Sequence, residues 1–385
     1  MISDTFSDRE LDTLRRKLLA WYDRHQRQLP WRASRDPSRI WLSEIMLQQT
    51  TVAAVIPYFE RFLARFPNLQ ILARADEADV LQLWEGLGYY SRARNIHRTA
   101  QLLVRQGGKF PSDPAELVKL PGIGRYTAGA IASFAFQQPA PIVEANTQRL
   151  YARLLAWDRP LTTAASQKIL WNLAARLVSP TRPGACNQAL MDLGSQVCTP
   201  AAPRCEACPV QVHCRAYLQG CQHRLPLARQ RVPPTPVTHL CIALRRGSRF
   251  LLHRYQPGER WAGLWDFPRW ENNDIPCDLF PTRKKNRPIL LPDAALHAPW
   301  LSAIEDDFSR RFQARITLQR HLVTFRHAVT RYAITLICFE ATTSARSLKQ
   351  GVSQQKWTSP ADFPDHAFST TGRRLANLLT RSDPE

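Results

Sequence analysis

The sequence predicts a multidomain chain, with an all-α domain first and an α+β domain after it. Three observations carry this. Apolar residues recur at helical spacing through the first half; a cysteine-rich loop closes that half; past a proline cluster the pattern becomes alternating and strand-like. The chain's 385 residues suffice for about two or three domains with substantial cores.

Residues from about 7 to 195 read as helical, beginning with Leu11, Leu14, Leu18 and Leu19 on one helix face. The stretch DPAELVKLPGIGRYTAGAIASFAF reads as helix, tight turn, helix. Asp113 suits an N-cap, Pro114 the first helical position, and Pro121 ends the first helix. Gly122 and Gly124 are expected to supply positive φ and a close backbone approach, with backbone N–H groups facing a phosphate beside a helix N-terminus. A bare G-x-G is weak, but its setting in L-P-G-I-G-R predicts a helix-hairpin-helix DNA-binding element. Ala128, Gly129, Ala130 and Ala132 then permit close helix packing.

Cys198, Cys205, Cys208 and Cys214 follow, separated by six, two and five residues. Pro200, Pro203 and Pro209 keep this loop from regular pairing, and four thiolates on it can close a metal site. The opening MISDTFSDREL lacks an apolar signal core, so a reducing compartment is expected and disulfides are not. Ligand count alone leaves zinc and iron–sulfur both open. Cys241 and Cys338 sit in apolar runs and read as core residues, and Cys186 and Cys221 as poorer ligands.

Pro226, Pro233, Pro234 and Pro236 mark a stiff linker. Beyond it, THLCIALRRGSRFLLHR predicts two strands joined at Arg246–Gly247–Ser248, and RYAITLICFEA a further strand. Helices are expected near Leu301–Phe312 and Arg373–Leu379. Residues 271–300, with Arg283, Lys284, Lys285 and Arg287, read as an exposed loop.

The formal charge of +20, from 52 Lys and Arg against 32 Asp and Glu, points to a polyanion such as nucleic acid; an arginine-rich proteome gives the same composition. No apolar run is long enough to span a bilayer, so a soluble, cytoplasmic and nucleoid-associated protein is expected, and a monomer because a duplex would itself partner the basic face.

Two carboxylates stand out. Glu44 lies among apolar neighbours in WLSEIMLQQT, where burial would raise its pKa; an exposed position on an amphipathic helix is the plainer alternative. Glu144 precedes the helix TQRLYARLLAW, which Asn146 or Thr147 is expected to cap. It suits either a developing positive charge or the helix dipole. Gln48 and Gln49 are uncharged side chains able to pair with base edges.

Together LPWR (Leu29–Arg32), WLSEIMLQQT (Trp41–Thr50), GLGYYSRARN (Gly86–Asn95), LPGIGRYTAGAI (Leu120–Ile131), NQALMDLG (Asn187–Gly194) and the cysteine run resemble the MutY family of adenine DNA glycosylases, within the endonuclease III-like helix-hairpin-helix superfamily. WAGLWDFP (Trp261–Pro268) looks like that family's Nudix-like domain, without a complete Nudix box. The resemblance is dense to about residue 220 and sparse after it. It implies a glycosylase domain at 1–224 with a cluster loop at about 196–216, a linker at 225–236 and a lesion-recognition domain at 237–385.

It also implies a 4Fe-4S cluster on Cys198, Cys205, Cys208 and Cys214. Glu44 takes the position of the general acid that protonates adenine N7, and Glu144 that of the carboxylate facing an oxocarbenium-like sugar, with Asn146 orienting the site. Tyr126 stands where endonuclease III-type enzymes carry a Schiff-base lysine, so a monofunctional enzyme is expected. Arg32, Gly122 and Gly124 are placed at DNA, and Gln48, Gln49 and Tyr89 at the mispair, where the adenine must leave the stack. The implied partner is duplex DNA with an A:8-oxoguanine or A:G mispair. Two departures mark the chain. Glu144-Ala145 stands where the family has Asp-Gly, and Val329-Thr330-Arg331 stands for the Phe-Ser-His loop, leaving Thr330 and Arg331 as lesion contacts. A glycosylase for another mismatched base, and a lesion-binding protein impaired by Glu144, are the competing expectations.

Overall fold

The computed structural model describes residues 6–228, 232–272, 299–346, 348 and 354–381. The basic run at 283–287 lies outside them. The backbone groups into two compact units: residues 1–74 with 94–230, and residues 75–93 with 231–385. Segment 75–93 comes from the part of the sequence expected to form the first domain.

The first half is helical as expected: α1 (Asp8–His25), α2 (Pro37–Met46), α3 (Val52–Arg65), α4 (Leu69–Arg74), α5 (Glu77–Trp84), α6 (Ser91–Arg105), α7 (Pro114–Leu117), α8 (Arg125–Phe134), α9 (Ala145–Leu154), α10 (Ala164–Leu177), α11 (Pro183–Gln196) and the short α12 (Arg215–Leu218). Local chemistry sets the starts. Ser7 and Glu10 form a capping box on α1, and Asp36 caps α2 by accepting from Ser38 N at 2.8 Å, with Pro37 behind it. Asp113 accepts from Ala115 N at 2.9 Å, and Pro114 opens α7. A core of Leu11, Leu14, Leu18, Leu150, Leu170 and Leu190 joins α1, α9, α10 and α11.

Between α7 and α8, Gly122 has φ +76 and a Cβ there would stand 2.8 Å from Asn95 Cβ, so glycine is required. Gly124 differs from expectation. Its φ is −89, it is the N-cap of α8, and nothing lies within 4 Å of its Cβ position. The turn needs left-handed backbone only once, because a helix cap is extended.

The second unit is α+β, as expected. Its strands β1 (Thr235–Arg246), β2 (Arg249–Arg254), β3 (Trp265–Asp266), β4 (Arg269–Glu271), β5 (Thr317–Val329), β6 (Tyr332–Thr342) and β7 (Gln355–Thr358) share one sheet, with order β3-β2-β1-β6-β5; β4 pairs with β1 and β7 with β2. β1 begins inside the segment expected to be linker, because Thr235 pairs with Tyr332. β1 and β6 run parallel, and their side chains alternate between two buried faces. Leu240, Ile242, Ile337 and Phe339 meet Phe308 of α13 (Pro299–Phe312); Cys241, Ala243, Leu336 and Cys338 meet Leu375 of α14 (Thr370–Arg381). Segment 75–93 belongs to this unit through Glu85. Its carboxylate accepts from Phe368 N at 3.0 Å and pairs with Arg373 at 2.5 Å.

Gly129 tests the close packing of α8. A Cβ there would stand 2.3 Å from Pro141 O. Gly129→Ala is expected to lower unfolding stability by about 1–3 kcal/mol, read from the urea midpoint, despite alanine's better helix propensity.

Candidate active site

A cleft of about 1170 Å³ in the helical unit is lined by Arg32, Glu44, Gln48, Tyr126, Glu144 and Asn146, among others. These residues are scattered over more than a hundred positions of sequence, and α2, α8 and α9 bring them together. Glu44 lies in the last turn of α2 and is buried among Ile40, Trp41 and Ile45. Among the described residues, the Tyr126 hydroxyl from the first turn of α8 is its side-chain partner and donates to Oε2. Burial pushes the Glu44 carboxyl up to about 7, against the lowering effect of Tyr126; the nearby Glu144 adds to the rise and Arg32 opposes it.

Glu144 is itself the N-cap of α9, in place of Asn146 or Thr147. Its Oε1 accepts from Thr147 N and its Oε2 from Asn146 N, both at 2.9 Å, while Thr147 Oγ1 accepts from Glu144 N at 2.8 Å. The glutamate's extra methylene lets the carboxylate fold back over the helix end, where the peptide dipoles favour negative charge. Burial still raises its pKa, with the two backbone donors as the main opposing effect. Asn146 Nδ2 adds a contact to Oε2 at 3.3 Å. Ala145, in place of the family's glycine, takes the first position of α9, where ordinary helical backbone suits it.

Arg32, expected at DNA, is committed inward. Nη1 and Nη2 donate to the two oxygens of Asp192 at 2.7 and 3.0 Å, and Arg27 Nε joins them at 2.7 Å. Asp192 is fully buried and was not anticipated; an acid inside the apolar helix NQALMDLG is the signal that marks it. Gln48 and Gln49 line the cleft, and Gln49 takes φ +59 just after α2. Tyr89 belongs to the second unit, with φ +49 and 51% of its surface exposed. Thr330 lies in the β5–β6 turn at φ +54, its hydroxyl donating to Val329 O at 2.7 Å, and Arg331 lies over the Tyr332 ring.

The four cysteines of the loop line one pocket with Leu150, Leu154 and Val210. Among the described residues, no three His, Cys, Asp or Glu side chains are gathered to hold a single metal ion. Burial pushes Cys208 up to about 12 and Cys214 to about 11. Two further residues that sequence reading missed fasten this loop to α9. Arg149 donates to Cys198 O at 2.7 Å and to Asn146 Oδ1 at 3.0 Å; the buried Arg153 donates to Cys198 Sγ at 3.2 Å and Thr199 O at 2.7 Å.

Residues 42–176 match the HhH-GPD superfamily of base excision DNA repair proteins. The chain is 35% identical to a human adenine DNA glycosylase across 97% of its own length and 75% of that protein. It belongs to the adenine DNA glycosylase family. Similarity to the rat adenine DNA glycosylase is 43% over 69% of this chain and 52% of the rat protein, so the chain spans about half the length of that relative. A Buchnera aphidicola member from Schizaphis graminum is 36% identical over 70% of this chain and 78% of its own. Among solved structures, a thermostable thymine-DNA glycosylase matches with TM-score 0.50 and 26% identity, covering 55% of this chain and 98% of that one. No helix among the described residues is long and apolar enough to cross a membrane.

Asp192→Ala leaves Arg27 and Arg32 facing the cleft without their counter-charge. A loss of roughly 3–5 kcal/mol in unfolding stability is expected, measured by chemical denaturation, with Asp192→Asn costing less because it keeps an acceptor.

Proposed function

We propose that this chain is a monofunctional glycosylase that removes adenine paired with 8-oxoguanine, or with guanine, from duplex DNA by hydrolysing the N-glycosidic bond. One observation carries the proposal: two carboxylates, both raised by burial, line one cleft and are held by different partners. Glu44 is surrounded by apolar side chains and holds its proton near neutrality, which suits a general acid delivering a proton to adenine N7. Glu144 accepts two backbone N–H bonds at a helix end, which stabilise its charged form beside a sugar that becomes oxocarbenium-like as the base departs. The general acid neutralises the leaving base, and the fixed charge neutralises what is left behind. Tyr126 offers a hydroxyl and no amine, so no Schiff base forms there and strand cleavage by that route is not expected.

Asn146 holds Glu144 from the side, and Arg149 holds Asn146 in turn. Gln48 and Gln49 at the cleft, with Tyr89, take the role of wedging the duplex open; Gly122 and Gly124 offer backbone N–H groups to a phosphate. Thr330 and Arg331 are the lesion contacts in this reading. The pocket's donor set suits a 4Fe-4S cluster bound through Cys198, Cys205, Cys208 and Cys214, since buried thiols with raised pKa values need cationic metal to become thiolates. Its four protein ligands leave no open position for chemistry, so the cluster would organise the loop.

Single-turnover excision on an A:8-oxoguanine duplex, with alkali to reveal abasic sites, tests the assignment. Glu44→Gln is expected to slow excision about 10²–10⁴-fold, and Glu144→Gln roughly 10²–10³-fold. Glu144→Gln excising at the parental rate, or tight binding by the parent without abasic product, sinks it. The rate should also fall as pH rises through about 7, where Glu44 loses its proton. Tyr126→Phe removes the hydrogen bond that favours the Glu44 anion, so that alkaline limb should move to higher pH; a limb that stays or moves lower contradicts the role.

A further inference from the structure

The second unit has cationic groups to which the proposed chemistry gives no role. Arg269, on β4, is 9% exposed. Its Nε donates to His239 Nδ1 at 2.9 Å, placing the His239 proton on Nε2, and its Nη1 reaches Thr371 Oγ1 at 3.3 Å. Its Nη2 is buried without a hydrogen-bond partner among the described residues, and so is His327 Nδ1 on β5. Two orphaned polar nitrogens in one neighbourhood are costly, since each forfeits its solvation without a replacement bond.

Several cationic groups share this neighbourhood. Arg269 acts on both His239 and His327, and so does the exposed Arg260; Arg374 of α14 also acts on His327. Asp266 lies within electrostatic reach of Arg269 and is already committed to Ser369 Oγ at 2.9 Å, Phe267 N at 3.0 Å and Tyr255 at 3.4 Å. Aromatic faces hold the cations in place. The Arg269 guanidinium lies 4.4 Å from the Trp261 ring centroid, and those of Arg260 and Arg331 lie 4.7 and 5.0 Å from the Tyr332 ring centroid.

We infer that Arg269, His327 and Arg260 form a binding site for a phosphate group, at the end of the sheet that carries the β5–β6 turn. A phosphate oxygen accepts from Arg269 Nη2 and from His327 with its proton on Nδ1, which satisfies both orphaned nitrogens at once, while Arg260 closes over the anion from the solvent side. The chemistry fits a phosphodiester of the DNA backbone or a free phosphate, and these two sources are separable. Binding of free phosphate does not depend on glycosylase action, so this inference stands or falls apart from the proposed reaction.

The test uses the full chain. Inorganic phosphate is titrated while the His239 and His327 imidazole ¹⁵N signals are followed, with chloride at matched ionic strength as control. Saturable shifts of both signals, weakened roughly tenfold in Arg260→Gln, are expected. Arg260 is exposed, so this variant should keep the fold, which the unchanged signals of the remaining histidines verify. A parallel measurement follows affinity for a duplex against salt concentration. If the backbone is the source, Arg260→Gln lowers the salt slope by about one; an unchanged slope with the phosphate shifts intact assigns the site to free phosphate. No saturable shift at either imidazole, together with an unchanged slope, overturns the site.

Discussion

Helix α9 is the member on which the rest of the helical unit depends. Its N-terminus is fixed by the Glu144 carboxylate, and Arg149 and Arg153, four residues apart, share one face of the helix. Those two guanidiniums take up the carbonyls of Cys198 and Thr199 and the sulfur of Cys198. The cysteine loop has no regular pairing of its own, so these donors supply what a sheet or helix would otherwise provide. Arg149 also reaches Asn146, so one residue touches both the carboxylate's support and the loop. Gly194 lets α11 approach this point, since a Cβ there would stand 2.9 Å from Asn146. A disturbance of the loop therefore reaches Glu144 through a short chain of rigid contacts.

The two cleft carboxylates show how environment divides labour between like groups. Glu44 is buried and Glu144 partly so, and burial pushes both toward the neutral form. Backbone N–H groups at the end of α9 work against that at Glu144, where the peptide geometry is fixed by the helix itself. Glu44 accepts from a phenol, and a hydroxyl is a weaker counterweight than two peptide donors. Arg32 influences Glu44 from a distance while its own donors are taken up by Asp192. The buried Asp192 thus tempers the positive field of the cleft.

Much of this was legible in the sequence because it is written locally. The helix start at Asp113 follows from short-range hydrogen bonding, while β6, whose alternation suggests a half-buried strand, is covered on both faces and carries a continuous buried run. The carboxylates could be picked out by type and neighbours. Their partners could not, because Tyr126 is 82 residues from Glu44 and Asp192 is 160 from Arg32. Capping by Glu144 was missed because glutamate seldom folds back onto its own helix end; shorter side chains do so more readily. Arg149 and Arg153 drew no notice in the sequence and lie buried, since their role depends on a loop some fifty residues onward.

The place of residues 75–93 bears on how this chain can be divided. A break at the prolines would look natural on paper, yet Arg373 donates to Glu85 and to the carbonyls of Phe363 and His366, knitting an early segment to the last helix. Tyr90 adds a bond to Phe368 O at 3.1 Å, and Gln82 one to Pro364 O at 2.8 Å. The second unit is thus contiguous in space and split in sequence. Moved alone into another protein, residues 231–385 would arrive with a raw surface where α5 had been, so a modular graft has to carry both pieces.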